Sequence, residues 1–118
     1  MSEDPLARFD GLPSERLANG LVIVEAKSHS ARRRGLARLN SLPADHALRI
    51  PGCWSVHTFG MRFALDLIWL DKRGAVARVD RDVPPGRMRT CVRARSVIET
   101  LAGEADAFVA AGVATAPA

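Results

Sequence analysis

Apolar residues run through this chain in short clusters separated by turn formers, a pattern of strands more than of long helices. Leu21-Val22-Ile23-Val24 follows the turn signal Asn19-Gly20 and predicts a first strand. Leu48-Arg49-Ile50 alternates and is stopped by Pro51-Gly52, which predicts a second. Leu65–Leu70, the turn Asp71-Lys72-Arg73-Gly74 and a return over 75–79 predict a hairpin. Asp71 suits the first turn position, where its side chain can accept from the backbone two residues on, and Gly74 can take a positive φ. Pro84-Pro85-Gly86 forces a loop, because neither proline can donate to a strand ladder. Ser96–Leu101 predicts a later strand, closed by Ala102-Gly103.

Two short helices are expected. Ser28 or Ser30 can cap one that runs to Ala37, weakened by Gly35, before a turn over 40–45. The other spans 104–111, with acidic residues in its first turn and Gly112 at the C-terminal cap position. Residues 1–19 hold prolines, glycines and scattered apolar residues and read as a flexible N-terminal arm, and 113–118 as a tail. The expectation is a mainly β, α+β domain over 20–112: a small antiparallel strand meander, folded as a sandwich or partial barrel, with two short helices.

Length and composition narrow the field. The 118 residues suit one domain, and a chain this long can bury a core without disulfide or metal staples. No run near the N-terminus has the length of a signal-peptide core, and 64–70 is far too short to span a membrane, so a cytoplasmic location and no membrane partner are expected. Cys53 and Cys91 lack the spacing and nearby histidines of a zinc site, and no phosphate-cradling glycine loop or nucleophile elbow occurs, so neither metal nor cofactor is expected. The net charge is +4, and of the seventeen cationic residues only Lys27 and Lys72 are lysines. Arg32, Arg33, Arg34 and Arg38 form one cluster; Arg87, Arg89, Arg93 and Arg95 form another. Either could meet phosphate, but neither cluster contains the stacking aromatics of single-strand binders, and G+C-rich coding produces the same arginine bias.

From residue 34 to 103 the chain carries Arg34-Gly35-Leu36, Leu42-Pro43, the stretch from His57-Thr58-Phe59-Gly60-Met61-Arg62-Phe63 to Ala64-Leu65-Asp66, Asp71 and Gly74 of the hairpin, Pro84, and Val97-Ile98-Glu99 with Leu101 and Gly103. In this order and spacing the chain resembles the domain of unknown function 192 family. It departs from that pattern at Ala64, where proline is usual, and at Gly112-Val113-Ala114, where members often have a Gly-Asp strand. The resemblance implies a compact, mainly β domain and supplies no reaction.

His57 can act as base, acid or ligand near neutral pH, or serve as a hydrogen-bonded structural residue. Asp66, inside an apolar strand, must find donors or face away from the core, so it is either functional or part of a buried network with a backbone turn or an arginine such as Arg34. Glu99, inside the later strand, poses the same question. Convergence of His57 with Asp66 or Glu99 would make an acid–base or metal-assisted site. A Cys53–His57 nucleophile–base pair is a further option. Trp54, Phe59, Met61, Phe63 and Trp69 form either a pocket wall or core. The leading reading is a non-enzymatic module binding a small molecule or protein, with His57, Thr58, Arg62, Asp66, Glu99 and Trp54 as candidates. The alternatives are a small enzyme using His57, and a nucleic-acid binder using Arg32 to Arg38.

Overall fold

The computed structural model describes residues 4, 6–27 and 35–113. Among these, β1 (Ser14–Arg16), β2 (Val22–Glu25), β3 (His46–Pro51), β5 (Leu65–Leu70), β6 (Val76–Val83) and β8 (Ser96–Leu101) form one sheet, in the order β1-β2-β3-β8-β5-β6. A two-stranded ribbon pairs β4 (Ser55–His57) with β7 (Met88–Thr90), and one α-helix, α1, spans Ala105–Ala110. This is the mainly β, α+β class that the apolar pattern predicts, with no closed barrel. Its connections are less local than a meander: β2 and β3 run parallel, and β8 inserts between β3 and β5.

The burial of β5 and β8 follows from that insertion. All six residues of β5 are buried, because the strand has neighbours on both sides and is covered on both faces. On one face Leu65, Leu67, Trp69 and Val97 pack with Leu36, Leu39, Leu42 and with Val56 from the ribbon. On the other, Ile68, Leu70 and Ile98 pack with Ala105 and Phe108 of α1. A strand turns successive side chains to opposite faces, so parity along β5 and β8 decides which layer each residue meets.

The hairpin forms as expected. Asp71 Oδ1 accepts from the backbone N–H of Arg73 (2.8 Å) and Ala75 (3.1 Å), and Gly74 sits at φ +79. These two bonds hold the Asp71 carboxyl below its ordinary pKa. β6 continues past the predicted return and ends at Val83, before Pro84. The register shifts opposite Asp66, where Asp82 takes φ +53, and this bulge carries the ladder through Asp80-Arg81-Asp82.

Two expectations change. Residues 6–19, read as an arm, carry a 3₁₀ turn (Ala7–Phe9) and β1, which pairs antiparallel with β2. Phe9 is buried in the core with Leu6 and Leu12 packed beside it, so three apolar side chains at regular spacing suffice to seat the segment. The expected first helix lies largely outside the described residues. Its end, 35–38, is a turn with Gly35 at φ +51 and Arg38 at φ +66, left-handed values that a right-handed helix excludes. No described helix is long and apolar enough to cross a membrane.

Candidate functional site

Asp66 is buried, and its carboxyl group is fully occupied by backbone donors. Oδ1 accepts from Asp82 N–H (2.8 Å); Oδ2 accepts from Gly103 N–H (3.0 Å) and Ala105 N–H (3.1 Å). One side chain thereby closes the β6 bulge, the turn after β8 and the start of α1. Thr58 plays a similar part on the ribbon. It is buried; its hydroxyl donates to the Pro84 carbonyl (2.8 Å) and accepts from Arg87 N–H (2.8 Å), pinning the Pro84-Pro85-Gly86 turn. Replacing Thr58 with valine keeps the shape and removes both bonds. Chemical denaturation should then show a loss of about 1–3 kcal/mol, and an unchanged midpoint would mean that the hydroxyl does not hold the turn.

Glu99 lies between Leu48 and Leu67 in register, both essentially buried, on the face opposite Asp66. Among the described residues its carboxyl group has no hydrogen-bond or ion-pair partner, and burial pushes its pKa up to about 7. A Cβ placed on Gly35 would stand 3.7 Å from Oε1. His57 is exposed on the outer face of the ribbon. Its ring lies 5.7 Å from that of Phe59, in a tilted contact. Asp66 faces α1, Glu99 faces the other layer and His57 faces outward, so the structure does not bring the three together. Among the described residues no three His, Cys, Asp or Glu side chains gather as metal ligands.

Arg62 is exposed and donates to Asn40 Oδ1, joining 58–63 to the turn below it. The Cys53 thiol donates to the Ser55 carbonyl (3.2 Å), and Cys91 is buried. The five apolar residues of the aromatic stretch divide. Trp69 is fully buried and its indole donates to Asp80 Oδ2 (2.9 Å); Met61 and Phe63 are half-buried against the core; Trp54 and Phe59 are 54% and 57% exposed.

The exposed pair has company. Met88 (62% exposed) stands opposite His57 in the ribbon register, and Val92 (76%) follows β7. Of the large apolar side chains exposed among the described residues, these four, Trp54, Phe59, Met88 and Val92, belong to 54–59 and 88–92. Beside them a cleft of about 360 Å³ is lined by Asp71, Lys72, Arg73, Val92, Arg93 and Arg95. The sequence marked Trp54, His57 and Phe59, but not Met88, Val92, Lys72 or Arg73. A three-residue strand such as β7 carries too little alternation to reveal an outward face. Arg32, Arg33 and Arg34 lie outside the described residues, and Arg38 is exposed.

The model of the DUF192 family, described as "Uncharacterized ACR", matches residues 15–113. No curated protein matches the chain. Two solved structures share the architecture. One, from Sinorhizobium meliloti 1021, is described as a "putative transcription regulator"; it is 18% identical, with a TM-score of 0.66 over 81% of this chain and 83% of that one. The other is a protein of unknown function from Novosphingobium aromaticivorans DSM 12444, 12% identical, with a TM-score of 0.65 over 92% of this chain and 94% of that one. At these identities the likeness is one of fold.

Proposed function

The chain belongs to the DUF192 family, and from that premise we propose that it is a non-enzymatic binding module whose ligand seats on the outer face of the β4–β7 ribbon. The observation that supports this reading is that Met88 on the ribbon and Trp54, Phe59 and Val92 on the residues just flanking its two strands are all exposed, while the inward residue Val56 anchors the ribbon to the core. Exposed apolar side chains scattered singly need no explanation, whereas several on one surface mark an interaction site. Of the candidates, Trp54 and His57 contact ligand, Thr58 holds the ribbon's turn, and Arg62 supports the adjoining loop. Asp66 and Glu99 are too buried to reach this face.

The test is a titration with a panel of mononucleotides, short oligonucleotides, and acidic and basic peptides, followed through backbone amide chemical shifts. Shifts are expected at 54–59 and 88–92. Trp54→Ala should weaken the responding ligand at least tenfold while changing stability by less than about 1 kcal/mol, since the side chain is half exposed. Shifts centred on Gly35 and Glu99 instead would place the site under the sheet and overturn the reading.

A further inference from the structure

Among the described residues the cations around this face form no close ion pair with a carboxylate, although Arg73 and Arg93 act on Asp71 at longer range. Among the described residues, arginine ion pairs are Arg49–Glu25, Arg78–Asp80 and Arg81–Asp106. Lys72, Arg73, Arg87, Arg89, Arg93 and Arg95 have none. The bonds made by Arg87, Arg89, Arg93 and Arg95 go to the backbone carbonyls of Gly86, Met88, Ala77 and Ala94. Four of these six cations wall the cleft, and its one carboxyl, Asp71, already accepts from two backbone N–H groups. Charge of one sign along a groove attracts an anion of opposite charge and is costly to assemble unless something neutralises it.

The cleft is continuous with the apolar face. Val92 lines the cleft and is largely exposed; the Cys91 N–H donates to the Trp54 carbonyl (2.8 Å), and the Gly52 N–H to the Arg95 carbonyl (2.7 Å). Trp54 is therefore tied to the chain that carries Arg93 and Arg95, though some forty positions separate them in sequence. Trp54, absent from the arginine cluster in the linear sequence, is joined to it in the fold through the backbone. From Trp54 to Phe59 the chain reaches at most about 17 Å at strand rise.

We propose that this face binds a single-stranded nucleic acid, its bases stacking on Trp54 and Phe59 and its phosphates entering the cleft of Lys72, Arg73, Arg93 and Arg95. This rests on the binding-module reading. Exposed aromatic faces beside a cationic groove are the arrangement that holds single strands, because every base has a face to stack and every phosphate a charge to pair. A duplex hides its base faces. An acidic peptide would satisfy the cations but gain less from two aromatic planes.

The experiment is fluorescence anisotropy of the full chain with labelled oligothymidylate and oligouridylate across a salt series, with unlabelled duplex DNA and poly-glutamate as competitors. Binding is expected at low salt, with a log–log salt slope of about −2 to −3, as three or four phosphate contacts give. Trp54→Ala should cost about tenfold. The double substitution Arg93→Gln with Arg95→Gln should flatten the slope by about 1.4, at about 0.7 for each of two contacts. Arg81→Gln, on the α1 side, should change nothing; circular dichroism checks that each variant is folded. No low-salt binding, or equal competition by duplex or poly-glutamate, overturns the single-strand proposal. If the peptide then shifts amides at 54–59 and 88–92, the binding face stands and only the nucleic acid falls. If oligothymidylate binds but is indifferent to Trp54→Ala, the face itself is wrong.

Discussion

Asp66→Ala should destabilise the protein by about 3–5 kcal/mol, a large share of the 5–15 kcal/mol that holds a domain of this size together. The substitution strands three backbone donors at once, those of Asp82, Gly103 and Ala105. An unsatisfied buried donor costs about 1–3 kcal/mol, and water entering the space left by the carboxyl group keeps the sum toward the lower end. The loss is not confined to one element, because the same side chain holds the bulge in β6, the turn after β8 and the entry to α1. Urea denaturation gives the number directly. If the alanine variant fails to fold, Asp66→Asn keeps one accepting oxygen and should show an intermediate loss. A loss below about 1 kcal/mol for alanine would mean that these contacts do not organise the sheet edge.

Glu99→Gln should remove a pH dependence of stability worth about 3 kcal/mol. Burial raises the Glu99 pKa in the folded state to about 7, against a reference near 4.5. The folded chain therefore keeps its proton through a window in which the unfolded chain has lost it. The contribution is fully present below about pH 4.5, falls by about 1.4 kcal/mol per pH unit as pH rises, and is gone above about pH 7. Other groups titrate in the same range, so the informative quantity is the difference between the two proteins. Stability measured by denaturant at pH 5 and at pH 8 should fall more in the native sequence than in Glu99→Gln, by roughly the stated amount. Parallel declines would show that the folded chain holds the Glu99 proton no longer than the unfolded chain does, and would overturn the prediction. The physical cause is location: Glu99 shares its face with Leu48 and Leu67, and no donor among the described residues compensates the charge.

Both predictions concern side chains that the sequence marked as candidates and whose roles it left open. That Asp66 and Glu99 need an explanation is legible from two polar residues in apolar runs. That Asp66 has donors and Glu99 lacks them depends on turns and a bulge contributed by residues 16 to 39 positions away from Asp66. Thr58 gave less warning, because a threonine among polar neighbours has no pattern to break, and its partners are the Pro84 carbonyl and the Arg87 amide.

The amino-acid order by itself determined what short-range forces decide. The Leu65–Leu70 strand with its Asp71 and Gly74 turn, the stop at Pro84, the Ser96–Leu101 strand and the helix ended near Gly112 each rest on residues within a few positions of one another. Tertiary structure alone decided the parallel pairing of β2 with β3, the insertion of β8, and the three-residue strands β1, β4 and β7, which exist because a partner supplies their hydrogen bonds. It also decided the site. Alternation within β5 and β8 tells which residues share a face of one strand, but the register between the strands sets Asp66 and Glu99 on opposite sides. The same long-range pairing places Trp54 beside Arg93 and Arg95, since backbone hydrogen bonds across the sheet are indifferent to distance along the chain.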